Sequence, residues 1–167
     1  MIVLFKKIEQ MIGFLLKPII VLGMLALIAV ITLQIISRVF FNAVPWTEEV
    51  ARFLLIWITF LGAALAFQQG RHIAVSFVVD ALPPHINRLA RMMASLAIIL
   101  FMGALVVIGY EYMQVQSFQR SPSLRWSMSY IYAVMPVSAA LMCYYACVDL
   151  LTLIFKPEFA TRQESIL

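Results

Sequence analysis

Residues 18–37 read PIIVLGMLALIAVITLQIIS, and this run without any charged side chain decides the fold class. Three further runs of the same kind cover residues 53–70, 92–110 and 126–148. At about 1.5 Å per residue, a helix of about 20 residues crosses a hydrocarbon core of about 30 Å. Transmembrane strands are shorter and alternate polar with apolar side chains, so strands do not fit these runs. The sequence therefore predicts four transmembrane helices.

The composition excludes a water-soluble enzyme. Of the 167 residues, 64% are apolar and 12% are charged, and the mean hydropathy is +0.99. Soluble domains are about 45–50% apolar and about 25% charged. The net charge is +4, but the cations lie between the apolar runs and not on one polar face, which favours lipid headgroups over nucleic acid as their partner.

The predicted architecture is a single all-α membrane domain over residues 1–167, with no repeat and no linker. Residues 1–14 mix apolar side chains with two lysines and a glutamate, which predicts a short interfacial helix at the headgroups. The alternative is a simple extension of the first span. The four predicted spans cover residues of about 15–37, 53–70, 89–112 and 126–149.

The distribution of Lys and Arg predicts the orientation. Four spans place both termini on the same side of the membrane. Eight cations fall in the N-terminal segment, the second loop and the tail: Lys6, Lys7, Lys17, Arg71, Arg88, Arg91, Lys156 and Arg162. Four fall in the first and third loops: Arg38, Arg52, Arg120 and Arg125. Because cytoplasmic loops carry the excess of cations, both termini are expected in the cytoplasm. Lys17 interrupts the first apolar run, so we expect no cleaved signal peptide.

The four runs lack the charged groups that transport pathways normally use. Asp, Glu, Lys, Arg and His are absent from them, although transport pathways normally need such groups in mid-membrane. His72 and His85 lie in the second loop, where they cannot ligate a haem between the spans. Cys143 and Cys147 are one helical turn apart, a geometry poorly suited to a disulfide. No catalytic residue, metal or cofactor is predicted, and the chain alone is not expected to form the transport path.

Small residues mark helix-packing faces in the second and fourth spans. Small side chains let helix backbones approach closely where lipid supplies no hydrophobic driving force. These faces pack either inside the bundle or on a larger membrane partner, and the sequence leaves both open. The packing candidates are Gly62, Ala63 and Ala66 in the second span, and Ala133, Pro136 and Ala140 in the fourth.

The segment before the second span has the signals of a helix start. Thr47 is the predicted N-cap, and Glu48 and Glu49 complement the positive end of the helix. Glu48 and Arg52 are four residues apart and can pair on one face. These charges are either a solvated helix end or a polar contact with a partner.

An ordered series of residues then resembles the small membrane subunit of tripartite ATP-independent periplasmic (TRAP) transporters. The four-span layout and the length match as well, so the resemblance covers essentially the whole chain. The matching elements are Ser37-Arg38, Phe41-Asn42, Trp46, Glu48-Glu49, Ala51-Arg52, Trp57, residues 60–64, Gly70, His72-Ile73, Val75, Leu82-Pro83, Ser123-Leu124, Tyr132 and Pro136.

The resemblance implies an accessory subunit of a sodium-driven importer of organic anions, such as dicarboxylates or acidic sugars. Its implied partners are a large multi-span membrane subunit and a periplasmic substrate-binding protein, at the bacterial inner membrane. The implied partner-contact residues are Arg38, Asn42, Trp46, Glu48, Glu49 and Arg52, and the cytoplasmic-loop motif comprises Gly70, Arg71, His72, Asp80 and Pro83. The alternative is a homo-oligomeric four-helix channel or small transporter.

Overall fold

Four long apolar segments dominate the computed structural model, which describes residues 2–40, 44–79 and 84–155. The helices are α1 (Ile2–Phe40), α2 (Pro45–Val79), α3 (Pro84–Val115), α4 (Met128–Tyr132) and α5 (Val134–Phe155), and a 3₁₀ turn at Gln116–Phe118 follows α3. Four segments are long and apolar enough to cross a membrane: Phe5–Phe40, Pro45–Gly70, Leu89–Phe118 and Met128–Ile154. The prediction of an all-α protein with four membrane-spanning helices is confirmed.

The helices pack as two pairs, which meet mainly where α2 lies against α5. Helix α1 lies along α2, α3 lies along α5, and α2 packs against α5. The core is small and is centred on Leu16, Leu61 and Val134, one residue from each of α1, α2 and α5. Most of the large apolar side chains of α1 remain exposed, as expected for a helix whose surroundings are lipid or another membrane protein.

Helix α1 is continuous from Ile2 to Phe40, so its N-terminal part extends the helix that contains the first span. The location of this extension at the headgroups stays a prediction. Two side chains from neighbouring helices hold this extension: Gln68 Nε2 donates to the Glu9 carbonyl (2.7 Å), and the Tyr144 hydroxyl donates to the Phe5 carbonyl (3.3 Å).

The fourth membrane segment is interrupted between α4 and α5. Pro136 has no N–H, so the helical hydrogen bond to the carbonyl four residues earlier, that of Tyr132, cannot form. The interruption at Ala133 falls beside that missing bond. Pro136 also lies against α3: a Cβ built on Gly109 would be 3.3 Å from Pro136 N and 3.4 Å from its Cδ. Glycine at position 109 therefore permits the close approach of α3 and α5.

Gly109→Leu is expected to destabilise the chain by about 1–3 kcal/mol, because a side chain there must push apart two packed helices. Gly103→Leu is the matched control on the same helix, since a Cβ at Gly103 would meet no atom within 4 Å. Denaturant titration of the purified chain in detergent micelles measures both variants. Equal stability of the two would contradict the close packing of α3 on α5.

Candidate functional site

The start of α2 and the connection from α3 to α4 meet at one end of the bundle. Helix α2 begins at Pro45, because the fixed φ of proline suits the first helical position and its missing N–H is not needed there. Thr47 lies inside the first turn, fully buried, and its hydroxyl donates to the Val44 carbonyl (2.7 Å). The prediction that Thr47 is the N-cap is therefore wrong, because the helix begins two residues before it, at Pro45.

Backbone hydrogen bonds fold residues 116–127, the α3–α4 loop, into a tight hairpin. The Ser121 N–H donates to the Trp126 carbonyl (2.8 Å), and the Arg125 N–H donates back to the Ser121 carbonyl (3.1 Å). Arg125 has a φ of 59°, a left-handed conformation that costs about 1–2 kcal/mol for a residue with a Cβ. Other contacts must hold the loop in this conformation.

Glu49 of α2 supplies those contacts. It is 8% exposed, and its carboxylate accepts three hydrogen bonds from the loop. The Ser123 N–H donates to Oε1 (2.8 Å), the Leu124 N–H donates to Oε2 (3.1 Å), and the buried hydroxyl of Ser121 also donates to Oε2. Hydrogen bonds to an ionised acceptor are the stronger kind. Glu49 therefore fastens the tip of the α3–α4 loop to the first turns of α2.

The sequence grouped Glu49 with Glu48 as a partner-contact candidate, but the two carboxylates face different ways. On a helix, positions 49, 53 and 56 share one face, and Phe53 and Ile56 are both half-buried. Helical periodicity could have placed Glu49 on the inner face. It could not have identified Ser121, which lies 72 residues away in a loop.

Glu48 and Arg52 form the predicted pair. Arg52 Nη2 lies 3.1 Å from Glu48 Oε1, and the two side chains are 60% and 63% exposed. An exposed pair of this kind contributes little to stability. Its charges remain available to a partner.

Glu48→Ala and Arg52→Ala are each expected to change the free energy of unfolding of the isolated chain by less than about 0.5 kcal/mol. If the pair contacts a partner, the same variants lower the yield of the assembled complex or its uptake rate. Denaturation of the isolated chain and purification of the complex, run side by side, separate the two effects. Wild-type uptake and wild-type assembly in both variants would remove the pair from the contact site.

A cavity of about 250 Å³ lies between the start of α2 and the loop tip. Its walls include the Glu48–Arg52 pair on one side and Pro122 and Ser123 of the loop on the other. The shape of the cavity depends on the α3–α4 loop, because the hydrogen bond to Glu49 holds Ser123 in place. A concave, partly charged site of this size can accept one side chain of another protein.

One face of α2 is exposed along the length of the membrane segment. Leu55, Thr59, Ala63 and Ala66 are exposed and continue the line of Arg52 at spacings of three or four residues. A Cβ on Gly62, beside this line, would meet nothing within 4 Å. We name this surface, residues 52, 55, 59, 63 and 66, the open α2 face. Its small residues do not pack inside the bundle.

The other sequence candidates divide between packed and exposed positions. Pro136 packs on α3, Ala133 is half-buried, and Ala140 is exposed. Arg38 and Trp46 are exposed at the same end of the bundle as the α3–α4 loop. Gly70 lies on α2 with open space around it. Asn42, Asp80 and Pro83 lie outside the described residues, as do the side chains of Arg71 and His72.

Within residues 2–40, 44–79 and 84–155, no group of three His, Cys, Asp or Glu side chains is placed to hold a metal ion. Cys143 and Cys147 are both free thiols. The Cys143 thiol lies 3.9 Å from the Ile99 carbonyl of α3. In the described part of the chain, this thiol is part of the packing between α3 and α5.

Comparison with known proteins decides the family. The family described as tripartite ATP-independent periplasmic transporters, DctQ component, matches residues 27–156. The chain belongs to this family. The matched range of this DctQ component contains the α3–α4 loop, the open α2 face and all of α2 to α5. The resemblance drawn from the sequence is thereby confirmed.

The relatives of this DctQ component include small permease proteins and a much longer permease protein. The sialic acid TRAP transporter small permease protein SiaQ of Vibrio cholerae is 31% identical over 122 residues, which is 72% of this chain and 70% of SiaQ. The C4-dicarboxylate small permease protein DctQ of Rhodobacter capsulatus is 25% identical over 101 residues, 59% of this chain and 44% of that protein. The isethionate permease protein DctMQ of Oleidesulfovibrio alaskensis is 32% identical over 143 residues, 80% of this chain but 22% of DctMQ.

Proposed function

We propose that this chain is the non-catalytic small membrane subunit of a sodium-driven importer of organic anions, dicarboxylates or acidic sugars. It packs on the large transport subunit and stabilises it, and it contributes to the surface on which the periplasmic substrate-binding protein docks. The relatives named for sialic acid and for C4-dicarboxylates support this class of substrate.

The open α2 face is the observation that carries the proposal. Threonine and alanine side chains on this face let another helix approach closely, and a membrane supplies no hydrophobic drive that would otherwise bury them. The exposed Glu48–Arg52 pair stands at one end of the same face. A large membrane subunit is the partner that such a face fits.

The DctMQ relative supports a large partner. In that protein the stretch similar to this chain is 22% of a longer polypeptide. A unit of this kind is thus joined covalently to a much larger one in a relative. We propose that the same two units associate non-covalently here, through the open α2 face.

The transport path belongs to the partner in this proposal. The four charge-free runs of this chain contain no Asp, Glu, Lys, Arg or His that could bind sodium or an anion within the membrane. The excess of Lys and Arg in the N-terminal segment, the second loop and the tail supports cytoplasmic termini in the bacterial inner membrane. The α3–α4 loop and the start of α2 then face the periplasm, where the binding protein is.

Proteoliposomes of defined composition test the proposed function. We expect sodium-dependent uptake of the organic anion when the large subunit, this chain and the substrate-loaded binding protein are all present. Omission of this chain should lower uptake at least about tenfold, and liposomes that hold this chain alone should be inert. Solute uptake or conductance by this chain alone would support the homo-oligomeric channel and contradict the proposal.

A further inference from the structure

We infer that Glu49 is a positioning residue, which holds the α3–α4 loop so that Arg120 and Arg125 meet an acidic patch on the soluble binding protein. The inference rests on the proposed function and names the residues that carry its docking step. It reassigns Glu49 from a direct contact to a residue that acts through the loop.

The loop has a defined shape that the backbone alone would not favour. Arg125 is a non-glycine residue with a φ of 59°, and such residues persist only where their surroundings hold them and often occur at functional sites. Here the surroundings are the backbone bonds between Ser121, Arg125 and Trp126 and the three hydrogen bonds to Glu49. The protein thus maintains an unfavourable arginine conformation with a buried carboxylate.

The exposed part of the loop is positive. Arg120 and Arg125 are both exposed, and neither forms an ion pair with another described residue. Glu49 is the carboxylate in contact with the loop, but its oxygens accept from the backbone of Ser123 and Leu124 and are turned away from solvent. Two arginines therefore project from the hairpin with their charge uncompensated, which complements an acidic surface.

A protein partner explains the rigid loop better than lipid headgroups do. The long, flexible side chains of arginines can reach lipid headgroups from a loop of any shape. A folded partner presents its carboxylates at fixed positions, and a preformed loop lowers the entropy lost on binding. The cavity beside the loop tip, between Ser123 and the Glu48–Arg52 pair, adds a recess of fixed shape to the same surface.

The experiment measures uptake by proteoliposomes that contain both membrane subunits, at increasing concentrations of substrate-loaded binding protein. Arg125→Glu should raise the half-saturating concentration at least about tenfold and leave the maximal rate unchanged, because a reversed charge weakens the encounter. Arg125→Lys keeps the charge and should stay within about twofold of wild type. Arg125→Gly suits the positive φ but lacks the charge, and we expect a rise of about threefold, so it tests the charge even if Arg125→Glu fails to assemble.

Glu49→Gln tests the positioning role. The amide offers one acceptor oxygen where the carboxylate offers two, so at least one loop N–H loses its hydrogen bond to residue 49. We expect the half-saturating concentration to rise about threefold while assembly persists, and the amides of Ser123 and Leu124 to exchange hydrogen faster. A purely structural role of Glu49 would lower the maximal rate and leave the half-saturating concentration at the wild-type value.

Three results would overturn the inference. One is a wild-type half-saturating concentration for both Arg125→Glu and Arg125→Gly. Another is a half-saturating concentration for wild type that does not rise with salt. The third is an effect of Arg125→Glu that disappears in vesicles without anionic lipid, which would assign the arginines to headgroups. If wild-type uptake does not require the binding protein at all, the proposed function itself fails.

Discussion

Replacement of Glu49 by alanine is expected to release the α3–α4 loop and to lower the melting temperature of the isolated chain by several degrees. The variant leaves the buried Ser121 hydroxyl and the Ser123 N–H without their acceptor, and the Leu124 N–H keeps only its longer bond to Ser121 Oγ (3.4 Å). A buried donor without an acceptor is unfavourable. It also removes the contacts that hold Arg125 at a φ of 59°. Thermal unfolding in detergent measures the first effect, and hydrogen exchange at residues 121–125 measures the second.

Glu48→Ala is the matched control for Glu49→Ala. The two glutamates are neighbours in the same helical turn, but the side chain of Glu48 is 60% exposed whereas Glu49 is buried. We expect exchange at Ser123 and Leu124 to accelerate at least about tenfold in Glu49→Ala, and to remain at the wild-type rate in Glu48→Ala. Equal exchange in the two variants would contradict the anchoring of the loop by Glu49.

Ala63→Phe is expected to prevent association with the large subunit while the chain itself stays folded. Ala63 is exposed in the middle of the open α2 face, and a ring there would hold a partner helix away. We expect the amount of large subunit that co-purifies with the chain to fall at least about tenfold. The thermal stability of the isolated chain should not change.

Ala64→Phe provides the contrast one position along the helix. Ala64 has no exposed surface, so a phenylalanine there must displace the helices packed on α2 and should destabilise the isolated chain. Comparison of Ala63→Phe with Ala64→Phe therefore distinguishes loss of the partner from loss of the fold. Normal co-purification of the Ala63→Phe variant would show that the open α2 face meets lipid and not the large subunit.

The sequence could predict the spans because charge marks their ends. Residues 18–37, 53–70 and 92–110 each lie within one of the membrane segments, and the run 126–148 begins two residues before the fourth segment. The Glu48–Arg52 pair was equally accessible, because its spacing of four residues fixes its geometry within one helix. The interruption between α4 and α5 is also local, because Pro136 lacks the N–H of one helical hydrogen bond. Each of these features depends on residues close together in the chain.

The contact between Glu49 and the α3–α4 loop, and the side of α2 that stays exposed, could not be predicted in the same way. Glu49 and Ser121 come together only after α2, α3 and the loop have packed. In α2, Ala63 is exposed and Ala64 is buried, but both the lipid-facing and the packed sides of a membrane helix are apolar. Periodicity therefore identifies the helix without identifying which side a partner covers. The contacts of Gln68 and Tyr144 with the N-terminal part of α1 likewise join residues far apart in the sequence.

Association with a large membrane subunit is the central claim, and co-purification tests it most directly. The chain would be tagged, expressed together with the genes that flank its own, and purified in mild detergent, and the proteins that follow it would be identified by mass spectrometry. We predict a large multi-span membrane protein at a ratio near one to one. A chain that purifies alone, as a homo-oligomer of defined size, would contradict the claim.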